Sequence, residues 1–445
     1  MAVHDGATAL TWAELRAAVD AQVARFVAAG IVPGQRVALI APDGAPALIS
    51  ALAVLRLGAV HAPIDHTLAA PEIETALTAL GVDWQVRQAE PGAPHAVRQV
   101  TPAVSSPLDP LGPGQSAFLR LSSGTTGAAK GVLLSHGTIA ARIAAANDGL
   151  QLGPDDRMLW LLPMAYHFAV SVLLYVDRGC AIVFGNRLRA TDTAAAARAA
   201  GCTALYASPW HLRRLAELPA GADLPAGLRL VVSTTTALDA GTAAAFRARH
   251  GLGVRQGLGI IEVGLPFLSP GEAGERPGQL GRPLPAFSVA ILDAAGQPVA
   301  PGEAGELAIA GPGLLDAYLT PWRTRESILD HGFFRTGDLA TVDGDGAVTL
   351  LGRLKDVINV GGVKVFPLEV ETVLAAHPAV RGCRVSAGPD PRLGEQVVAE
   401  VELSVPVEPD ALAAWCADRL APLKRPGRIT VVDRLPMTGS GKVKR

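Results

Sequence analysis

Residues 121–131 read LSSGTTGAAKG: two serines and two threonines lie among glycines, and a lone lysine, Lys130, follows. Glycines let successive backbone N–H groups converge on an anion, and neighbouring hydroxyls add donors. The stretch therefore has the donor set of a phosphate-holding loop. A Gly/Ser/Thr-rich hairpin turn that binds nothing is the competing reading. A Walker A loop is excluded, because that pattern needs G-x-x-x-x-G-K-[ST] between a strand and a helix. Here Gly124 is followed five residues later by Ala129, and Lys130 is followed by Gly131.

The flanks must hold this loop. AFLRLSS (117–123) reads as a strand entering it and GVLLS (131–135) as a strand leaving it; only then does SHGTIAARIAAAND begin a helix, with Ser135 as its cap. Upstream, TWAELRAAVDAQVARFVAAG (11–30) sets Trp12, Leu15, Val19, Val23, Phe26 and Val27 on one helical face. Thr11 and Glu14 form a capping box there, and Gly30 is the stop. RVALI (36–40) reads as a buried strand, about 46–57 as a helix and AVHAPI (59–64) as a strand. Such alternation implies an α/β fold with a largely parallel sheet. Residues 85–115, rich in Pro, Gly and Gln, read as a surface connection. Between 280 and 352, the turns DAAGQP, GPG and DGDG separate the short runs SVAIL, GELAIAG and AVTLLG, which is antiparallel β material. GGVKVFPLEVETVLAAHPAV, VVAEVEL and DALAAWCADRL then make an α+β tail. The expectation is a large N-terminal domain of mixed and parallel sheets flanked by helices (1–352, β-rich from about 280) and a small α+β C-terminal domain (353–445).

Composition narrows the function. A chain of 445 residues, 49% hydrophobic and 18% charged, suffices for two or three domains with large cores. A net charge of −2 and 4% aromatic residues speak against a nucleic-acid or acidic-membrane partner. Cys180, Cys202, Cys383 and Cys416 form no CxxC and have no histidine cluster beside them, so neither a disulfide framework nor a zinc site is expected, and a reducing cytoplasm is. Asp5 and Glu14 interrupt the N-terminal region, so no signal peptide is expected. ALISALAVLRLGAVHAPI (47–64) contains Arg56 and is broken by Gly58, which predicts a buried helix and strand rather than a membrane span.

SSGTTGAAKG resembles the signature loop of the adenylate-forming enzymes, a family of acyl-CoA and aryl-CoA synthetases, peptide-synthetase adenylation domains and luciferases. Their loop runs [ST]-[SG]-G-[ST]-T-G-x-P-K-G, with Ala129 here at the usual proline. FRTGDLA (334–340), LLGRLKDVINVGGVKVFPLEVE (350–371) and PMTGSGKVKR (436–445) match further family motifs in the family's order, and together they cover nearly the whole chain. The resemblance implies a reaction in two halves: a carboxylate attacks the α-phosphate of ATP to give an acyl-adenylate and pyrophosphate, and a thiol then displaces AMP.

It also implies roles. Ser122, Ser123, Gly124, Thr125, Thr126 and Gly127 would hold the β- and γ-phosphates, with Lys130 secondary to the threonines. Lys442 would bridge the attacking carboxylate and the α-phosphate, as a flexible ammonium can; outside the motif it would read as a solvated tail lysine. Asp338 would accept from the ribose hydroxyls, the alternative being an Asx-turn residue after Gly337. Arg353 would contact ribose or phosphate. Lys355 would be the hinge about which a mobile small domain rotates between the half-reactions. Glu262 would sit near Mg²⁺, an ion for which one carboxylate plus phosphate oxygens and water suffices. Gly257, Leu258 and Gly259 would flank the nucleotide.

Two departures stand out. The family's Y-G-x-[TS]-E is Leu258-Gly259-Ile260-Ile261-Glu262 here, so the adenine-stacking tyrosine and the hydroxyl to the α-phosphate are both replaced. The family's Ser-Gly-Gly-Ala-Pro-Leu is Ser233-Thr234-Thr235-Thr236-Ala237-Leu238, so Thr234, Thr235 and Thr236 would line the substrate pocket or the nucleotide; one of their hydroxyls is a candidate replacement donor, the alternative being an ordinary β-branched strand end. For the acid, LPMAYHFAVSVLLY (162–175) matches the start of the substrate pocket, with Tyr166 and His167 as its lining, although His167 also reads as a core histidine. No residue from 163 to 175 is acidic, which disfavours an α-amino acid because its ammonium would lack a partner. The expected function is ATP-dependent activation of an acyl or aryl acid with transfer to CoA. A stand-alone enzyme loading the phosphopantetheine of a carrier protein, and a degenerate nucleotide-binding protein, are the alternatives.

Overall fold

The computed structural model describes residues 1–88, 95–100, 111–112, 114–122, 130–272 and 278–436. Ser123, Gly124, Thr125, Thr126 and Gly127 of the loop, and Lys442, lie outside the described residues.

Two large sheets, each eight-stranded among the described residues, form the body. In one, Arg36–Ile40 lies at the centre between Val60–Pro63 and Trp84–Arg87, parallel to both, and Val60–Pro63 leads on to the antiparallel hairpin of Ser116–Ser122 and Lys130–Ser135. In the other, Ala181–Phe184, Arg157–Trp160, Ala204–Ala207, Leu230–Ser233 and Arg255–Ile260 are successive parallel neighbours. Every residue of Arg36–Ile40 and of Ala204–Ala207 is buried, which explains why these strands read as continuous apolar runs.

Local chemistry starts and stops the helices as expected. Thr11 Oγ1 accepts from the Glu14 N–H at 3.2 Å and Glu14 Oε2 from the Thr11 N–H at 2.8 Å, and Gly30 ends the Trp12–Ala29 helix with φ +98°. The Ser135 hydroxyl caps His136–Leu150 by accepting from the Thr138 N–H at 3.0 Å. The apolar stretch 47–64 is a buried helix, Ala45–Arg56, and a buried strand; Arg56 leaves the core to pair with Asp20 at 2.6 Å. Among the described residues no helix is long and apolar enough to cross a membrane.

Two segments differ from expectation. Within 85–115, Trp84–Arg87 and Ala96–Gln99 form an antiparallel edge of the first sheet, so this stretch is more than a connection. The β-rich part is a five-stranded antiparallel sheet among the described residues, but Ala317–Tyr318 leaves it and pairs with Lys130–Ser135, matching Ala317 with Leu133 and Tyr318 with Val132. Leu319 then donates its N–H to the Gly131 carbonyl at 2.7 Å, and Ala317 and Leu319 are buried beneath that sheet. A strand of two residues is too short for alternation to reveal it.

The small C-terminal unit has its own core, built on Ile358, Val360, Val370, Leu374, Val385 and Leu412. Its strands Ile358–Val360, Val380–Asp390, Gly394–Leu403 and Arg428–Val432 pack with the helices Pro367–Ala375 and Pro409–Ala417. A single 3₁₀ turn, Leu354–Asp356, joins it to the antiparallel sheet, and Lys355 in that turn is exposed.

Gly313 is where the crossing segment meets the His136–Leu150 helix. Its φ is +78°, and a Cβ there would lie 2.4 Å from Arg142 Cγ and 3.1 Å from the Thr138 carbonyl. Gly313→Ala is expected to cost about 2–3 kcal/mol through positive-φ strain and overpacking, measured as a lowered urea midpoint.

Candidate active site

Ser122 and Lys130 face each other in register at the open end of the hairpin that carries the glycine-rich loop. The Ser122 hydroxyl is buried without a hydrogen-bond partner, and the Lys130 ammonium lies 5.0 Å over the Tyr318 ring. Tyr318, delivered by the crossing segment, donates its hydroxyl to Glu262 Oε1 at 3.2 Å. Burial and the neighbouring Glu262 charge hold this phenol protonated far above its ordinary range. The Glu262 carbonyl accepts from the Leu315 N–H at 2.7 Å, so the backbone beside the carboxylate is anchored too.

Two arginines, Arg120 half-buried and Arg142 fully buried, share Glu262's field. Arg120, in the strand entering the loop, donates to the Tyr166 carbonyl and sits 5.8 Å over the Tyr166 ring. Arg142, 1% exposed, donates from Nη1 to the Ile261 carbonyl at 2.6 Å and from Nε to the Gly313 carbonyl. Burial pulls both guanidiniums below their ordinary pKa, Arg142 to about 9, and the Glu262 carboxylate is the largest opposing influence on each. Arg120, Arg142, Lys130 and Glu262 thus give three cations against one carboxylate, which suits a polyanionic ligand. Among the described residues no cluster of three or more His, Cys, Asp or Glu side chains could hold a metal. A single carboxylate fits Mg²⁺ arriving on phosphate oxygens, since that ion keeps most of its shell for phosphate and water.

The TGD motif is a second built corner. Thr336 Oγ1 donates to the Leu307 carbonyl at 2.7 Å and accepts from the Asp338 N–H at 3.0 Å. Gly337, with φ +71°, donates its N–H to Glu306 Oε1 at 3.0 Å. Asp338 and Arg353 are cross-strand partners, and Arg353 Nε lies 2.8 Å from Asp338 Oδ1. The carboxylate is 6% exposed and the arginine is half-buried, so the pair has one edge open to solvent.

Tyr166 and His167 lie in the short helix Met164–His167, whose first N–H is held by Asp43 Oδ1 at 3.0 Å. Burial, and then the Asp65 charge, push the Tyr166 phenol up to about 12. His167 lies edge-on to Trp160 at 5.7 Å and to Tyr206 at 6.4 Å, and Trp160 stacks on Tyr206 at 5.5 Å. The chain then widens into a π-helical turn, Phe168–Val172. Trp160, Tyr206 and Asp43 come from separate strands or loops, so no local motif pointed to them. Arg120 did leave a trace, as a lone charge inside an apolar strand beside the loop.

The two departures lie side by side. Strand register pairs Ser233 with Gln256, and Thr234 Oγ1 donates to the Gly257 carbonyl at 3.1 Å. Leu258 is half-buried, Gly259 is exposed, and Ile261 is packed into the main core at 8% exposure. Thr235 adopts φ +82° and its buried hydroxyl makes no hydrogen bond, while Thr236 is exposed.

Residues 1–319 match the model described as AMP-binding enzyme, and residues 369–442 match AMP-binding enzyme C-terminal domain. The chain belongs to the AMP-binding enzyme family. It is an acid–thiol ligase of the adenylate-forming class, which activates a carboxylic acid with ATP and Mg²⁺, releases AMP and forms a thioester. A feruloyl-CoA synthase from an Amycolatopsis species is 32% identical over 99% of this chain and 94% of its own length. A salicyl-AMP ligase / salicyl-S-ArCP synthetase from Mycobacterium tuberculosis is 30% identical, covering 98% of this chain and 84% of its own. The crystal structure of ATP-bound MatB from Rhodopseudomonas palustris superposes with a TM-score of 0.85 at 26% identity, over 99% of this chain and 93% of that one.

Glu262→Gln removes the anion that faces Arg120 and Arg142. It is expected to lower stability by about 1–3 kcal/mol, whereas Tyr318→Phe, which keeps the ring over Lys130 and loses one hydrogen bond, is expected to cost about 1 kcal/mol. Thermal unfolding of the two variants beside the wild type checks the order.

Proposed function

We propose that this chain activates an aryl or other non-amino carboxylic acid as its acyl-adenylate and passes the acyl group to CoA. The observation that supports it most is that Glu262 accepts from Tyr318 and opposes the charges of Arg120 and Arg142, while Tyr318 also lies under Lys130 at the end of the loop-bearing hairpin. In this reading the loop, with Ser122 and Lys130 at its ends, holds the departing pyrophosphate, and Glu262 takes the magnesium that accompanies ATP. Asp338 holds the ribose hydroxyls at its open edge, with Arg353 fixing the carboxylate. Lys442 neutralises charge shared by the attacking carboxylate and the α-phosphate, an electrostatic contribution of the kind that dominates phosphoryl and adenylyl transfer. Lys355, exposed in a single turn between two cores, is the hinge on which the small unit exchanges one face for another.

The wall of Trp160, His167 and Tyr206 favours a planar acyl group, as aromatic faces stack best on flat partners. Two carboxylates lie by the Met164–His167 helix, and both are engaged by the protein: Asp43 by the Met164 N–H and by Arg187 at 3.4 Å, and Asp65 by the N–H and hydroxyl of Thr67. The free thiols of Cys180, Cys202, Cys383 and Cys416 support a reducing, cytoplasmic setting. The relative named as a salicyl-S-ArCP synthetase favours a second reading, in which the acceptor is the phosphopantetheine arm of a carrier protein.

Pyrophosphate–ATP exchange across a panel of aryl, aliphatic and amino acids tests the first half-reaction. Exchange is expected with aryl acids, to be absent with amino acids, and to fall about 100-fold or more in Lys442→Ala, as for other electrostatic donors removed from a transition state. No exchange with any acid would leave a nucleotide-binding protein without ligase activity. Thioester formation with CoA, and its absence with holo-carrier protein, separates the two acceptors.

A further inference from the structure

The loop that follows the strand Leu230–Ser233 holds its middle residue in an unfavourable state. Thr235 has φ +82°, a region that a β-branched residue enters only when its surroundings force it. Its hydroxyl oxygen is buried and has no hydrogen-bond partner, a condition rare in folded proteins. Glycine at this position would remove both penalties.

Its neighbours are placed differently. Thr234 spends its hydroxyl on the Gly257 carbonyl at 3.1 Å, and Thr236 is exposed with an ordinary backbone. The register of Ser233 with Gln256 and the Thr234–Gly257 hydrogen bond set the start of this loop, one residue before Thr235, against the run that leads to Glu262. From Gly257 to Ile261 that run has no side-chain donor, and Ile261 is turned into the core. Two buried hydroxyls at this edge have no hydrogen-bond partner, those of Ser233 and Thr235; Ser233 is the last residue of its strand, and Thr235 lies in the loop beyond it, held at a positive φ.

We infer that Thr235 is a nucleotide-binding residue whose hydroxyl donates to an α-phosphate oxygen of bound nucleotide. This rests on the adenylation reading, and it specifies how the site works without a hydroxyl at position 261. Strain and an unmade hydrogen bond in the free protein are both relieved, in part, when the anion arrives. A hydrogen bond to a charged group of this kind changes affinity roughly tenfold to a hundredfold.

Calorimetric titration of AMP and of adenosine into wild type, Thr235→Ser, Thr235→Val and Thr235→Gly tests it without knowledge of the acid. AMP is expected to bind wild type and the Ser variant alike, and the Val and Gly variants roughly tenfold or more weakly, with adenosine binding equal in all four. The ligand-free Gly variant is expected to melt above wild type, because its backbone accepts the left-handed conformation freely; it carries the test if the Val variant fails to fold. Equal AMP affinity in the Gly variant and wild type, or a parallel loss of adenosine binding, overturns the inference. If AMP binding changes as expected but the wild type shows no pyrophosphate exchange with any acid, the Thr235 contact stands and the ligase reading fails.

Discussion

Burying a guanidinium is costly, and this fold buries that of Arg142 and half-buries Arg120 in the field of one carboxylate. Arg120 and Arg142 are kept there because carbonyl oxygens from other elements accept their N–H groups, those of Tyr166, Ile261 and Gly313, and because the Glu262 carboxylate opposes their charge. The hairpin, the His136–Leu150 helix, the turn after Arg255–Ile260 and the crossing segment must all hold their positions for that balance to exist. The same arrangement leaves an excess of positive charge at the mouth of the loop. The proposed phosphate site and the network that fixes four elements thus share the same residues.

The remaining parts are arranged around this centre by short, well-defined contacts. Tyr318 reaches Glu262 because two residues of the crossing segment join the edge of the hairpin's sheet. Asp43 holds the start of the helix that carries Tyr166 and His167, and Arg120 holds the Tyr166 carbonyl, so this helix and the hairpin that bears the glycine-rich loop are tied through one arginine. In the antiparallel sheet the Asp338–Arg353 pair follows from cross-strand register, with Thr336 and Gly337 fixing the backbone beneath it. Chemistry at one corner therefore depends on packing at another. Substitutions such as Gly313→Ala act on the site without touching a ligand.

Legibility in the sequence followed the range of the interactions involved. The Trp12–Ala29 helix was readable to its cap and stop because Thr11, Glu14 and Gly30 act within a few residues of one another. The buried strands were readable from unbroken apolar runs. The Ala317–Tyr318 crossover and the Ala96–Gln99 edge were not, because each is brief and takes its stability from a distant partner. Asp338 and Arg353 were each nameable from a motif, but their pairing rests on strand register. Arg142, Tyr318, Trp160 and Asp43 belong to no local pattern, and their importance comes wholly from what the fold places next to them.

The residues of LSSGTTGAAKG, TGD and PMTGSGK, and the order in which they recur, already point to the class of chemistry, the adenylation of a carboxylic acid. That much is local, because backbone donors and short side chains act through their immediate neighbours. What the tertiary structure alone decided is what surrounds Leu258 and Ile261, where the expected polar groups are missing. Ile261 is buried in the core, and a neighbouring strand brings the start of the loop that holds Thr235, strained and with an unmade hydrogen bond, against the same run. Residues 235 and 261 are far apart in sequence, so only strand pairing could bring their two segments together.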